Sequence, residues 1–190
     1  MSTIKRCSWC GDDKLYQHYH DSEWGVPIYD DRQLFECLIL EGAQAGLSWI
    51  TVLRKREHYR KVFRQFDVAQ LSRFEDHQLE AILLDPGIVR HRLKVFSVRS
   101  NAQAYLTVQQ EFGSFSNYAW AFVGGEPLRN RPRALEQVPA ATALSTALSK
   151  DLKKRGFTFI GPTIIYAFMQ ATGMVDDHAY DCDFASDPLE

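Results

Sequence analysis

An all-α fold is predicted, and two observations predict it. Strand-like alternation of apolar and polar residues is scarce along the 190 residues. Segments of helical length recur instead, most of them bounded by a capping residue or a helix breaker. There is no repeat, low-complexity tract or long linker, so residues 1–190 read as one unit, with room for two helical lobes.

The elements follow in order. Residues 1–29 are aromatic and irregular. Asp30 or Asp31 can cap a helix running to about Ala45, where Gly46-Leu47 breaks it. Ser48 can cap the next, Trp49 to about Phe63. Asp67 starts a short helix from Val68 to about Phe74, and Asp76 to Leu84 reads as another. Asp85-Pro86-Gly87 is a turn, followed by a longer helix from about Val89 to Phe112. A short helix near Ser116–Val123 precedes a Gly/Pro/Arg stretch over 124–139. Thr142 to Arg155 is a helix closed by Gly156. Gly161-Pro162 opens the last helix and Gly173 closes it.

Composition bounds the function. With 45% hydrophobic residues, 12 Phe, 8 Tyr and 4 Trp, the chain should fold rather than stay disordered. No apolar run approaches a membrane span, and Met1–Arg6 lacks an apolar signal core, so a cytoplasmic location is expected. In that compartment four cysteines argue for metal or plain packing before disulfides. The net charge is −2, but it is segregated. Residues 54–64 hold six basic side chains and one acid, and residues 90–99 hold four basic and no acidic ones. Arg129, Arg131 and Arg133 form a third cluster, Lys150 to Arg155 a fourth, and the last 15 residues hold six acids and no base. Such a distribution can give a basic face, or simply solvated helix surfaces.

Three constellations could carry chemistry. Cys7, Cys10, His18, His20, His178 and Cys182 sit near the two chain ends. Thiolates with imidazole suit zinc, and four protein ligands would leave no open position, so such a site is structural. It would pin both termini, 1–29 and 174–190, together. The alternative is ordinary surface histidine and buried cysteine; Cys37, inside an apolar helix, reads as core. The second is Glu41, on one helical stripe with Leu34, Leu38 and Ala45, while Arg32, Glu36 and Leu40 point elsewhere. A carboxylate aimed at a core either pairs with a buried Arg or His, or serves a ligand. Small neighbours (Gly42, Ala43, Ala45, Gly46) leave space, and Tyr16, Tyr19, Trp9, Trp24 and Trp49 offer flat surfaces for a planar base. The third is Leu84 to Arg90, a helix, a tight Pro-Gly turn and a second helix. Its amides could face a phosphate with Arg90, His91, Arg92 and Lys94 nearby, or it could be a structural corner.

Long ordered segments carry a resemblance that covers nearly the whole chain. They are Tyr19-His20-Asp21-Ser22-Glu23-Trp24-Gly25-Val26-Pro27, Leu40-Glu41-Gly42-Ala43-Gln44-Ala45-Gly46-Leu47-Ser48-Trp49, and Gly87-Ile88-Val89-Arg90-His91-Arg92, then Lys153-Lys154-Arg155-Gly156-Phe157 and Phe168-Met169-Gln170-Ala171. The sequence resembles the bacterial 3-methyladenine DNA glycosylase I family. That resemblance implies a helix–hairpin–helix glycosylase fold with a structural zinc held by Cys7, His20, His178 and Cys182. Cys10 departs from the family pattern and stands where it could compete with His20. The resemblance also puts Glu41 in a base pocket walled by Tyr16, Tyr19, Trp49 and Trp9. Leu47 becomes a wedge into the gap left by the flipped nucleotide, and Gly87, Ile88, Arg90 and Arg92 become DNA contacts.

The implied partner is double-stranded DNA carrying an alkylated adenine, and the implied active form is a monomer. N3 methylation makes the base a cation that leaves as a neutral molecule, so recognition matters more than acid catalysis. No residue is placed to bond covalently to the sugar, so a monofunctional hydrolase without strand cleavage is expected. Other glycosylases of this superfamily place an Asp after the hairpin; here residues 100–130 offer only Glu111 and Glu126. Two rival readings stay open: a zinc-stapled module that binds DNA without cutting, and a small-molecule hydrolase using Glu41.

Overall fold

The computed structural model describes residues 4–185. The first three residues of the expected leaderless start, and Asp187 and Glu190 of the acidic C-terminal run, lie outside them. The described residues are mainly helical, with nine α-helices. None is long and apolar enough to cross a membrane.

The first helix, α1 (Lys14–Ser22), lies where an irregular segment is expected. Asp13 caps it, accepting from the backbone N–H groups of Leu15 at 2.9 Å and Tyr16 at 3.1 Å. The dense aromatic content of residues 1–29 masks that cap. The next helix, α2 (Asp31–Gln44), is capped by Asp30, which accepts from Gln33 N–H at 2.9 Å. Asp31 has a different task. Its carboxylate accepts from Gln109 Nε2 at 2.6 Å and from the N–H groups of Phe115 and Ser116 at 2.8 Å each. One side chain thereby ties the start of α2 to two later helices, α6 (Arg92–Phe112) and α7 (Phe115–Trp120).

The remaining helices are α3 (Trp49–Val62), α4 (Val68–Leu71), α5 (Asp76–Leu83), α8 (Ala143–Lys154) and α9 (Pro162–Ala171). Packing sets α2 at the centre, against α3, α6, α7 and α9, while α4 and α5 lie on α6 and α8 lies on α9. Because α2 is covered on several sides, Leu34, Phe35, Leu38, Ile39 and Leu40 are all buried. Two expectations change accordingly. Leu40 points into the core, not away from it, and Ala45 is exposed as the C-cap of α2.

Three boundaries also move. The expected helix from Val89 begins at Arg92, because Val89–His91 closes a tight turn, with His91 N–H donating to the Val89 carbonyl at 2.9 Å, and the His91 ring accepts from Lys94 N–H at 3.3 Å as a cap. The short helix expected to reach Phe74 stops at Leu71, and the one expected over Ser116–Val123 is α7 followed by a 3-10 turn, Ala121–Val123. Two strands too short to show alternation were not expected. They are β1 (Leu128–Arg129) and β2 (Val175–Asp176), paired in parallel with Leu128 opposite Val175.

The basic clusters are less free than composition suggests. Arg54 pairs with Asp13 at 2.5 Å, Arg56 with Glu23, Arg60 with Glu36, and Arg155 with Glu111 and Asp151. Arg131 pairs with Asp176 at 3.0 Å. Lys94 Nζ donates to the carbonyls of Ala43 at 3.0 Å and Ala45 at 2.7 Å, which holds the C-terminal end of α2. Most of this charge therefore fixes helices to one another.

The Asp31 junction gives a stability prediction. Asp31→Ala leaves two backbone donors of α7 and the Gln109 amide without their acceptor, so urea denaturation should show a loss of about 2–3 kcal/mol. A change below about 0.5 kcal/mol, the range of an ordinary surface substitution, would contradict the assigned role.

Candidate active site

Glu41 lies in the last turn of α2 and is 4% exposed. It has no hydrogen-bond or ion-pair partner among the described residues. Burial alone pushes its carboxyl up to about 8 from an ordinary 4.5. Because the folded-state value is the higher one, stability falls as pH rises above about 4.5, and the loss is complete only above about 8. A shift of that size amounts to roughly 4–5 kcal/mol against the ionised form.

The carboxyl faces a cleft of about 430 Å³. The five aromatics offered from sequence, Trp9, Tyr16, Tyr19, Trp24 and Trp49, line the same space. α1 supplies Tyr16 and Tyr19 one turn apart, and α3 supplies Trp49 at its first position. Their rings meet in pairs, Trp9 with Tyr16 at 5.0 Å between centroids and Tyr19 with Trp49 at 5.5 Å. Desolvation, and to a lesser degree the nearby Glu41, raises both tyrosine hydroxyls, so they stay protonated. Trp49 also carries a buried indole N–H without a partner. The opposite rim, Pro132 to Leu135 and Val138, comes from the stretch read from sequence only as a Gly/Pro/Arg loop. Its pairing through β1 to β2 brings it there, and no local pattern announces that contact. Gln44, Gln170 and Asp177 also line the cleft; the first two fall in family segments but were given no role from sequence, and Asp177 was not singled out.

Leu47 stands at the α2–α3 break beside the cleft-bearing helix and is 42% exposed. Gly46 makes the break with φ +84°, a region that suits a residue lacking Cβ. The α5–α6 turn is fixed to α3. Asp85 accepts from Gly87 N–H at 2.7 Å and meets His58 Nε2 at 2.8 Å, and Val89 N–H donates to the Tyr59 hydroxyl at 3.0 Å. A Cβ on Gly87 would lie 2.2 Å from the His58 ring, so any other residue would displace that ring from Asp85. Ile88 is buried, Arg90 is exposed, and Arg92 is paired with Glu80. The turn therefore presents Arg90 outward, while its amides at Gly87 and Val89 are already bonded within the chain.

The two ends of the described chain meet behind the cleft. The ligating atoms of Cys7, His20 and Cys182 all lie within 4.8 Å of one another. His20 Nδ1 meets Asp21 at 2.7 Å and His178 Nδ1 meets Asp176 at 2.8 Å, so each ring turns its Nε2 away from a carboxylate. His178 Nε2 is buried and has no partner, and its ring lies 5.0 Å from that of His20. Cys182 is drawn down toward thiolate by Cys7 and His20. Cys10 stays outside this group, its thiol donating to the Cys7 carbonyl at 3.2 Å, and His18 is exposed. Cys7, His20, Cys182 and the Nε2 of His178 could hold a soft or borderline metal ion.

Comparison with known proteins adds the family. A profile for methyladenine glycosylases matches residues 9–186. The DNA-3-methyladenine glycosylase 1 of Escherichia coli K12 is 49% identical over 179 residues, covering 94% of this chain and 96% of that protein. The DNA-3-methyladenine glycosylase of Haemophilus influenzae is 49% identical over 177 residues, covering 93% and 96%. A structure of 3-methyladenine DNA glycosylase I from Staphylococcus aureus, solved to explain its recognition of 3-methyladenine, superposes with a TM-score of 0.94 at 35% identity over 98% of this chain and 99% of that one. A nearly full-length match at this identity, with the buried acid and aromatic cleft in place, shows that the chain belongs to the methyladenine glycosylase family.

Proposed function

We propose that the cleft at Glu41 is where this chain removes 3-methyladenine from alkylated DNA, by hydrolysis of the N-glycosidic bond, leaving an abasic site. The observation that carries the reading is the unpartnered buried carboxyl of Glu41 in an aromatic cleft. A binding module without activity does not need such a group, since backbone contacts alone would hold DNA. A small-molecule hydrolase would use the cleft but not the family's DNA-facing segments.

A flipped 3-methyladenine offers a flat cation with an amino edge. The rings of Tyr16, Tyr19, Trp49 and Trp9 stack on it, and Glu41 as a carboxylate accepts from the amino edge. The positive base restores the ionised form that burial opposes. Recognition and charge balance are thus one event. The electron pair of the broken bond neutralises the base as it leaves, so no acid is required. Leu47 fills the gap in the duplex, and the α5–α6 turn with Gly87, Arg90 and Arg92 tracks the backbone as a helix–hairpin–helix. Ile88 contributes there through its main chain, its side chain being the anchor. The protein acts as a monomer and single unit on double-stranded DNA in the cytoplasm.

The same reading places a structural zinc on Cys7, His20, His178 and Cys182. Supporting it are the three clustered ligands, the orphaned Nε2 of His178 and the carboxylates behind both imidazoles. When bound, the metal would supply a closed tetrahedral link between the chain ends and no open position for chemistry.

Glu41→Gln should fold normally yet lose most release of free 3-methyladenine from methylated DNA, measured by chromatography of the supernatant. Release at the wild-type rate would sink the assignment. Metal analysis separates the ligands: Cys10→Ser should keep its zinc and His20→Ala should lose it. Loss in Cys10→Ser, with retention in His20→Ala, would give the fourth position to Cys10.

A further inference from the structure

The cleft contains a second buried acid. Asp177 lies just after β2, is 3% exposed, and lines the same space as Glu41. It has no cationic partner among the described residues. Its Oδ1 accepts from Asn130 Nδ2 at 2.7 Å, and its Oδ2 accepts from the Tyr166 hydroxyl at 2.6 Å and from Gln170 Nε2 at 2.7 Å. Three donors, two from α9 and one from the residue after β1, converge on one carboxylate, so Asp177 is an acceptor at every contact.

The consequence falls on Gln170. A side-chain amide has a donating end and an accepting end. With Nε2 held by Asp177, the carbonyl Oε1 must be the other end. That oxygen has no hydrogen-bond partner among the described residues, and Gln170 lines the cleft. The Gln170 main chain is also fixed, its carbonyl accepting from Gly25 N–H at 3.0 Å. The cleft therefore holds a neutral acceptor of defined direction, supported from behind by a carboxylate.

We propose that Gln170 orients the attacking water and that Asp177 is the positioning residue that aims it. This rests on the glycosylase reading above. Water is a weak nucleophile that needs alignment, because the leaving base needs no acid. The carbonyl of Gln170 accepts one O–H of the water, which turns a lone pair toward the anomeric carbon. The bond from that carbon to the base nitrogen breaks with its electron pair going to the base. The water oxygen bonds to the carbon, and its second proton leaves to solvent. One cationic nucleotide and one water thus give a neutral base, an abasic sugar and one proton.

The test uses the full chain on methylated DNA in single turnover, with Gln170→Ala, Asp177→Asn and Gln170→Glu. Asp177→Asn turns one accepting oxygen into a donor and so releases the aim of Gln170. The first two variants should lower the rate of base release by roughly tenfold or more, while the affinity for free 3-methyladenine changes less than about threefold. Gln170→Glu loses the N–H that Asp177 accepts and sets a second acid against that carboxylate, so it should fall with Gln170→Ala. Added methanol supplies the readout that mere misfolding would not move: loss of water alignment should raise the share of sugar trapped as the methyl glycoside. Thermal melting and metal content confirm intact variants. Unchanged rates or an unchanged methanol share would overturn the proposal. So would a loss of rate matched by an equal loss of 3-methyladenine affinity, which would make Gln170 a base-recognition group. If the wild type releases no base, the glycosylase reading itself fails; indifferent variants beside an active wild type refute only the role of Gln170.

Discussion

Glu41 is kept from water on a helix packed against four others, with no counter-charge among the described residues. The penalty on its ionised form is large beside the marginal stability of a protein of this size. A surrounding structure has to hold it there, since a looser helix end would let the carboxyl reach solvent. α2 is accordingly fastened at both ends. Asp30 and Asp31 secure its start, the latter to α6 and α7, and Lys94 holds the carbonyls at its finish. The cleft can then provide, in a bound cation, the partner that folding withholds.

The walls of that cleft depend on long-range closure. Trp9, Tyr16 and Tyr19 come from the N-terminal segment, and the opposite rim comes from residues 132–138. Neither segment belongs to the helical centre. The first is brought in by the Cys7–His20–Cys182 group together with the Arg6–Asp21 pair, and the second by the short β1–β2 pairing. A metal link at the chain ends would therefore act on the base pocket although it touches no reacting atom. Tyr19 and His20 are neighbours on one helix, which makes the pocket wall and the terminal cluster parts of a single element.

Much of this was legible in the sequence. Capping and breaking residues placed most helices, because those signals are local. Glu41 stood out because a carboxylate on an apolar stripe violates the helical pattern. The family segments then supplied the aromatic set. Other features were hidden for physical reasons. α1 was obscured by aromatics that serve a pocket rather than a regular apolar face. The basic clusters read as a free surface, but their acidic partners, such as Asp13, Glu23 and Glu36, are distant in sequence. Gln170 lies in a family segment but was given no role, and Asp177 lies in none; they become a unit only when α9 and the segment after β2 fold beside Asn130.

The central claim is that burial holds Glu41 in reserve and that the base ionises it. The direct measurement is an infrared difference titration of the Glu41 carboxyl, assigned by its loss in Glu41→Gln, in the free protein and with saturating 3,9-dimethyladeninium, a base that keeps the positive charge which free 3-methyladenine lacks. The account predicts an acid band titrating near 8 in the free protein, displaced to markedly lower pH when the base is bound. A carboxyl that titrates near 4.5 without ligand, or one whose titration the base leaves unmoved, would contradict it.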